Sequence, residues 1–394
     1  MTERFGADAA CVVGIGHSEY GGRGTLAAKG LSRLAVDAVR DACDDAGLDP
    51  ADVDGFSGYC DDPTVPADLA VSLGTRELRY SGLVWGGRGS GLPGAMANAY
   101  MAVSSGMARY VVVVRSLVQQ ARLGQSLAAG VQPGDPLPLA ASYTAPFGMV
   151  LPAAIYALKA RRHMALYGTS TDHFAAVSIH ARRNAATNPD ARFRSEITLE
   201  EHHASRLIAD PLRLLDCCME SDGAAAAVIT TPERARDLRR PAVSIRAVSM
   251  TGEYKWATAS FNTIDEDYAS TGQRRAARDL WVRAAMGPDD VDVALIYDAF
   301  TPSVIMSLED WGFCPIGEGG PFVAEGRIDR DGTIPVNPHG GHLAEVYLQG
   351  ITHLLEGVRQ LRGTACNQIA GAETALYASG VGASPGGGFV LTRM

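Results

Sequence analysis

At 394 residues the chain is long enough for two core-forming units, and 46% hydrophobic with 20% charged residues is the balance of an ordinary globular enzyme. A formal charge of -9 argues against nucleic-acid binding, since the basic residues come only in small groups: Lys159 with Arg161 and Arg162, Arg182 with Arg183, Arg239 with Arg240, and Arg274 with Arg275. There is no secretory pattern at the start and no apolar run near the ~20 residues of a membrane helix, and the 7 cysteines show no CxxC spacing, so a cytosolic chain with reduced thiols and no membrane or metal site is expected.

Ala10-Cys11-Val12-Val13-Gly14-Ile15-Gly16 has the pattern of a short buried strand, and Leu31, Leu34, Ala35, Ala38, Val39 and Ala42 follow at helical spacing. Gly47 closes that helix. Asp49-Pro50 then supplies an N-cap with proline at the first helical position, and Val53-Asp54 leads to the next strand. Gly86-Gly87-Arg88-Gly89-Ser90-Gly91 opens a helix of small residues (Ala95, Ala97, Ala99, Ala102), ahead of the strand Tyr110-Val111-Val112-Val113-Val114. Strand, helix and strand with glycine at the turns implies parallel pairing in an α/β sheet. The glycines lack dinucleotide spacing and no Gly-Lys-Ser/Thr follows, which argues against a nucleotide loop.

From about Ser116 to Pro211 the pattern loosens around helical pieces such as Ala154 to Arg162 and Asp172 to Arg183, an excursion of the kind that covers a site. His202-His203 reads as a surface pair and Cys217-Cys218 as a core pair. Asp222-Gly223 turns into the strand Ala225 to Thr231, Thr231-Pro232-Glu233-Arg234 begins a short helix, and after Arg239-Arg240-Pro241 the chain starts over. A front helix runs into Gly47-Leu48-Asp49-Pro50-Ala51-Asp52-Val53-Asp54, and a later one through Leu280, Val282, Ala284 and Ala285 into Gly287-Pro288-Asp289-Asp290-Val291-Asp292. Each is followed by a strand and then by a glycine-rich turn opening a helix. The spacing predicts a duplicated chain joined near residue 240, with units at 1–240 and 241–394 and a loop domain at about 116–211.

Two stretches of the second unit carry the candidate chemistry. In Asn337-Pro338-His339-Gly340-Gly341-His342-Leu343-Ala344-Glu345-Val346-Tyr347 the paired glycines let a ligand approach the backbone, and Leu343, Val346, Leu348, Ile351, Leu354 and Leu355 recur at helical spacing. The turn is expected to open a helix whose positive end favours an anionic oxygen near His339 to Tyr347. Leu295-Ile296-Tyr297-Asp298-Ala299-Phe300 reads as a strand delivering Tyr297 to its edge. Tyr297 and Tyr347 are the candidate catalytic pair.

These features resemble the thiolase superfamily, in particular its lipid-transfer-protein and sterol-carrier branch. The resemblance spans nearly the whole chain: the front Gly-Leu-Asp-Pro-Ala-Asp-Val-Asp, His163-Met164 through Tyr167-Gly168-Thr169 to Arg183-Asn184-Ala185 and Asn188-Pro189, Asp222-Gly223-Ala224-Ala225, and the glycine-rich Ser379 to Phe389. It implies an α/β, duplicated thiolase fold, a five-layered αβαβα sandwich with a loop domain in the N-terminal half. The departures are chemical. Arg88-Gly89-Ser90-Gly91 has no nucleophilic cysteine before its Ser-Gly, Tyr297-Asp298-Ala299-Phe300 stands for Asn-Glu-Ala-Phe, Tyr347 stands for the family's histidine, and Ala378 stands for the final cysteine. Without either sulfur no acyl-enzyme forms, and condensation or thiolysis is excluded.

Two tyrosines in these positions resemble the aldolase subgroup of the lipid-transfer proteins. The resemblance implies retro-aldol cleavage of a steroid side-chain CoA thioester (17-hydroxy-3-oxo-pregnene-20-carboxyl-CoA type) to a 17-ketosteroid and propionyl-CoA. It also implies a homodimer joined to an OB-fold, zinc-ribbon partner in a heterotetramer, with no cofactor in this chain and any zinc on the partner. Tyr297 and Tyr347 would be acid and base, supported by a proton relay through Asp298, His339 or His342. The enolate oxygen would be held by backbone N–H groups near Gly89 and Gly380 or by His342. The substrate would lie along Gly340, Gly341, Arg88 and Lys255. A phenol acting as base near neutrality asks for a pKa of roughly 7 to 8 instead of about 10. Two other readings compete: a non-catalytic acyl-CoA or sterol carrier, and a thiolase-fold aldolase acting on a different, for example aromatic, acyl-CoA.

Overall fold

The computed structural model describes residues 8–60, 64–84, 88–119, 145–149, 151–252, 269–379 and 386–394. In the first part of the chain the elements are β1 (Cys11–His17), β2 (Gly21–Gly22), α1 (Leu31–Ala46), β3 (Gly55–Tyr59), α2 (Pro66–Leu73), β4 (Tyr80–Val84), α3 (Leu92–Ser104) and β5 (Val111–Leu117). Next come α4 (Pro152–Tyr167), α5 (Thr171–Ala185), α6 (Leu199–Ala204), β6 (Leu207–Ala209), β7 (Leu212–Arg213), β8 (Ser221–Thr230) and α7 (Pro232–Ala235). The last part holds β9 (Val243–Thr251), α8 (Arg274–Ala284), β10 (Val293–Ile296), α9 (Thr301–Asp310), α10 (Gly319–Ala324), α11 (Gly341–Ala344), α12 (Ile351–Arg362), β11 (Thr374–Ala378) and β12 (Gly386–Arg393).

The strand directions repeat. β3 and β5 are parallel, and β8 lies antiparallel between β5 and β1. Likewise β10 and β11 are parallel, and β12 lies antiparallel between β11 and β9. A short ladder, Cys11 with Ser244 and Val12 with Val243, joins β1 to β9. The repeated Asp-Val-Asp has a physical role in each half. Asp54, just ahead of β3, accepts the N–H groups of Arg109 and Tyr110, and Asp292, just ahead of β10, accepts those of Glu373 and Thr374. Each carboxylate thus ties the start of one strand to the start of its parallel neighbour, satisfying N–H groups that the ladder has not yet reached.

α3 packs on β3, β5 and β8 as well as on β9 and β12, while α12 packs on β10 and β11 as well as on β1, β8 and β9. These two helices are therefore a layer shared by both halves. α1, backed by α2, covers β1 and β8 from outside, and α8 covers β9 and β12. The order of layers is αβαβα, as the resemblance implies. α1 buries Leu34, Ala35, Ala38, Val39, Ala42, Cys43 and Ala46, and Gly47 caps it in the left-handed conformation with φ 71°. Asp49 caps the following turn through the Ala51 N–H, as its sequence predicts.

Two expectations need correction. The helix expected to run on from Gly340-Gly341 is broken: α11 ends at Ala344, α12 starts at Ile351, and Tyr347 sits in the stretch between them. Gln349 at φ 54° and Gly350 at φ 95° force that break, although Val346 and Leu348 are buried on a helical rhythm. His202-His203 is not a surface pair, because His202 is fully buried with Nε2 2.8 Å from Asp216. Among the described residues no helix is long and apolar enough to cross a membrane.

Candidate active site

β10 makes its last ladder contact at Ile296, and the next residues leave the sheet toward α11. Asn337 closes the free edge of the strand: its side chain accepts the Ile296 N–H at 2.9 Å and donates to the Ile296 carbonyl at 2.7 Å. The Tyr297 N–H donates to the Ala378 carbonyl, so the residue is fixed just beyond the strand end. The second tyrosine is held by the turn between α11 and α12. Its N–H donates to Ser221 Oγ at 3.2 Å, Tyr59 donates to the Gln349 carbonyl at 3.0 Å, and the Gly350 N–H donates to His342 Nε2 at 3.0 Å.

These supports bring the two phenols together, with the Tyr297 and Tyr347 hydroxyls 2.9 Å apart. The His342 ring stands against both, 4.5 Å from the Tyr297 ring and 5.1 Å from the Tyr347 ring, edge to face in each case. Tyr297 is 1% exposed, whereas Tyr347 is partly exposed. Either hydroxyl can be the donor in their mutual hydrogen bond. Burial pushes both phenols up from their ordinary range. The lowered pKa expected of a phenolate base is therefore not what this environment provides, because a phenolate here would lose its hydration.

The positive end of α11 does hold an anionic oxygen, and it belongs to the protein. Asp298 accepts the His342 N–H at 2.8 Å and the Leu343 N–H at 3.2 Å, and Gly341 leaves room for the carboxylate where a Cβ would collide with it. What comes close to Gly340 is Ala185 of α5. His339 has its ring 4.8 Å from His353 and Nε2 3.7 Å from Glu345, and neither of its ring nitrogens is hydrogen-bonded among the described residues. Burial drives His339 and His342 well below the usual imidazole range, so both rings are neutral. Gly89 lies in the single turn Arg88–Gly91 that opens α3. Lys255 and Gly380 lie outside the described residues, as does the side chain of Arg88.

Three neighbours of the pair escape sequence reasoning. His353, on the first turn of α12, reaches Asp298 and Ile296. Tyr377 on β11 is fully buried and stands where a Cβ on Gly350 would be. Cys218, taken for a core residue, lies near enough to raise the pKa of Tyr347. The one signal in the sequence is Gly350, whose missing side chain leaves room for one from another element. Asp298, His342 and His353 bring three potential metal-ligand atoms together. His353 Nε2 lies 3.0 Å from the Ile296 carbonyl oxygen and so carries the proton, while Asp298 already accepts the His342 and Leu343 N–H groups.

Fold and site define a thiolase-like scaffold with a pair of phenols where sulfur chemistry would otherwise be done. The family model described as "Thiolase C-terminal domain-like" matches residues 256–388. The 17-hydroxy-3-oxo-4-pregnene-20-carboxyl-CoA lyase of Mycobacterium tuberculosis is 40% identical over 97% of this chain and 98% of its own length. The steroid side-chain-cleaving aldolase of Thermomonospora curvata is 36% identical over 97% of both chains. A solved structure of an Ltp2-ChsH2(DUF35) aldolase superposes with a TM-score of 0.90 at 35% identity, covering 98% of each chain. The chain belongs to the thiolase superfamily, in the lipid-transfer-protein branch that contains these aldolases.

Proposed function

We propose that this protein is a carbon–carbon lyase that cleaves a steroid side-chain CoA thioester of the 17-hydroxy-3-oxo-pregnene-20-carboxyl-CoA type by retro-aldol chemistry, giving a 17-ketosteroid and propionyl-CoA. The 2.9 Å contact between the Tyr297 and Tyr347 hydroxyls carries this reading. The activities named for its relatives supply the substrate class.

In the reaction the bond between the hydroxyl-bearing carbon and the carbon α to the thioester breaks. The hydroxyl loses its proton as the carbonyl forms, the bonding pair passes into the thioester enolate, and the α carbon takes a proton to become propionyl-CoA. No net proton is gained or lost. Because burial opposes a free phenolate at either position, the pair works as a relay. One phenol receives the hydroxyl proton as it passes its own to the second, and the second gives its proton to the α carbon. Both end neutral, and the next turnover starts from the same state. No step requires a thiol nucleophile.

We also propose that the enzyme acts in the cytosol, where its cysteines stay reduced, as a dimer carrying an OB-fold, zinc-ribbon partner. The name of the aldolase structure, which joins a second component to the first, supports a partner. The test is to supply a 17-hydroxy steroid CoA ester of this type to the chain, with and without an OB-fold, zinc-ribbon partner protein, and to follow propionyl-CoA. Release that disappears in Tyr297→Phe and Tyr347→Phe supports the lyase. Silence with the partner present favours a carrier, whereas equal release from the Phe variants would leave a lyase whose chemistry lies on other residues.

A further inference from the structure

We propose that His353 is the positioning residue for Tyr297, its one ring N–H straddling that tyrosine by donating to the residue before it and to the residue after it. Nε2 lies 3.0 Å from the Ile296 carbonyl oxygen and 3.1 Å from Asp298 Oδ1. Both partners are acceptors, which fixes the proton on the nitrogen between them. The inference rests on the lyase reading of the tyrosine pair and adds to it what holds the pair in place.

His342 completes the clamp. Its Nε2 accepts the Gly350 N–H at 3.0 Å, so the proton of the neutral ring is on Nδ1, which lies 3.4 Å from Asp298 Oδ1. That one oxygen therefore faces the backbone N–H of His342 at 2.8 Å, the Nε2–H of His353, and the ring N–H of His342. The rings follow in contact: His353 is 4.3 Å from His342, and His342 is 4.5 Å from Tyr297. Tyr297 is consequently fixed twice, through the carbonyl before it and the carboxylate after it, and through the His342 ring set edge to face with its own. Ile296 is held at the same carbonyl by Asn337, so the clamp closes on a strand end whose position is already set. His353 touches neither hydroxyl. It acts through Asp298 and His342, and its loss is felt as a displaced phenol.

The test compares His353→Gln with His353→Phe in the propionyl-CoA assay, with Tyr297→Phe as the reference for a lost phenol. Glutamine keeps an N–H donor at similar reach and loses the ring, whereas phenylalanine keeps a ring and loses the donor. The clamp predicts that His353→Phe lowers kcat by about 10²-fold, the cost of a reacting group misplaced by about 1 Å, with KM within threefold of wild type. His353→Gln should recover to within about tenfold. Phe equal to or better than Gln would show that His353 merely fills the core and overturns the clamp. Elemental analysis of the full wild-type chain provides a readout that does not depend on any variant folding. An absent divalent ion supports the clamp, and a stoichiometric ion displaced together with activity by a chelator overturns it, since the ion and not the His353 N–H would then hold Asp298. Full activity in Tyr297→Phe would sink the lyase reading itself. Loss there alongside a fully active His353→Phe sinks only the clamp.

Discussion

The carboxylate of Asp298 occupies the space that a side chain on Gly341 would need, its Oδ2 being the nearest atom to that position. Gly341 also has φ 62°, a left-handed backbone. Alanine there meets two costs: about 1–2 kcal/mol for the left-handed conformation, and displacement of the carboxylate that accepts the first N–H groups of α11. Asp298 and Tyr297 are adjacent, so the phenol moves with the carboxylate. Gly341→Ala should unfold at a lower temperature than wild type and lose about 10²-fold in turnover. Wild-type values for both in thermal denaturation and product assays would contradict this packing.

A relay through two phenols makes a distinctive prediction about their removal. Tyr297→Phe and Tyr347→Phe should each lower kcat by about 10²–10⁴-fold, the usual worth of general acid–base catalysis, with little change in KM. Once one link is gone the other has nothing to pass, so the double variant should be no slower than the worse single variant. Losses that multiply would mean that the phenols act independently.

The tyrosines were legible because each sits at a recognisable motif position, one at a strand end and one after a paired glycine. The helix of Leu34, Ala38 and Ala42 with its glycine cap, and the repeated Asp-Val-Asp, were legible for the same reason: the pattern is local. The contacts that organise the site come from far along the chain. Asp298 takes up the α11 N–H groups across more than forty residues, and His353 reaches back to Ile296 across 57. His353 stands among Ile351, Leu354 and Leu355, where sequence spacing shows a buried helix and nothing more. The break between Ala344 and Ile351 was hidden for a related reason. Val346 and Leu348 keep the helical rhythm by being buried, while Tyr377 from β11 stands against Gly350, where the next turn would have to form.

If no acyl-enzyme forms, thiols near the pair are dispensable. Burial pushes Cys217 up to about 12 and Cys218 well above the ordinary thiol range, with Cys217 adding to the effect on Cys218. Neither supplies a thiolate near neutral pH. Cys218→Ala should keep turnover within about tenfold of wild type, a loss attributable to altered packing beside Tyr347 and to nothing chemical. Mass spectrometry of the enzyme quenched during turnover should show no mass increase. A stoichiometric acyl adduct on Cys218 would replace the relay with covalent catalysis.

The buried acid behind the site sets a pH dependence for stability. Burial raises Glu345 to about 8 from 4.5, against the opposing pull of Arg359, and raises Glu356 to about 7. A carboxyl whose folded pKa lies above its unfolded value binds its proton more tightly in the fold. Its contribution is whole below pH 4.5 and is lost as the pH climbs through the folded value. This contribution to wild-type stability should therefore fall between about pH 5 and pH 8 and then level off, while the neutral His339 and His342 pull the other way below about pH 6.5. Glu345→Gln keeps an oxygen to accept the Asn188 amide, which lies 3.1 Å from Oε1, and removes the ionisation. Its Tm should match wild type near pH 5 and exceed it by a few degrees at pH 8, while Glu356 continues to give a shallower decline ending near pH 7. Thermal unfolding of both proteins across pH 5 to 9 measures the difference directly. A variant that loses stability as steeply as wild type would mean that Glu345 is already ionised in the fold, with Arg359 as its counter-ion.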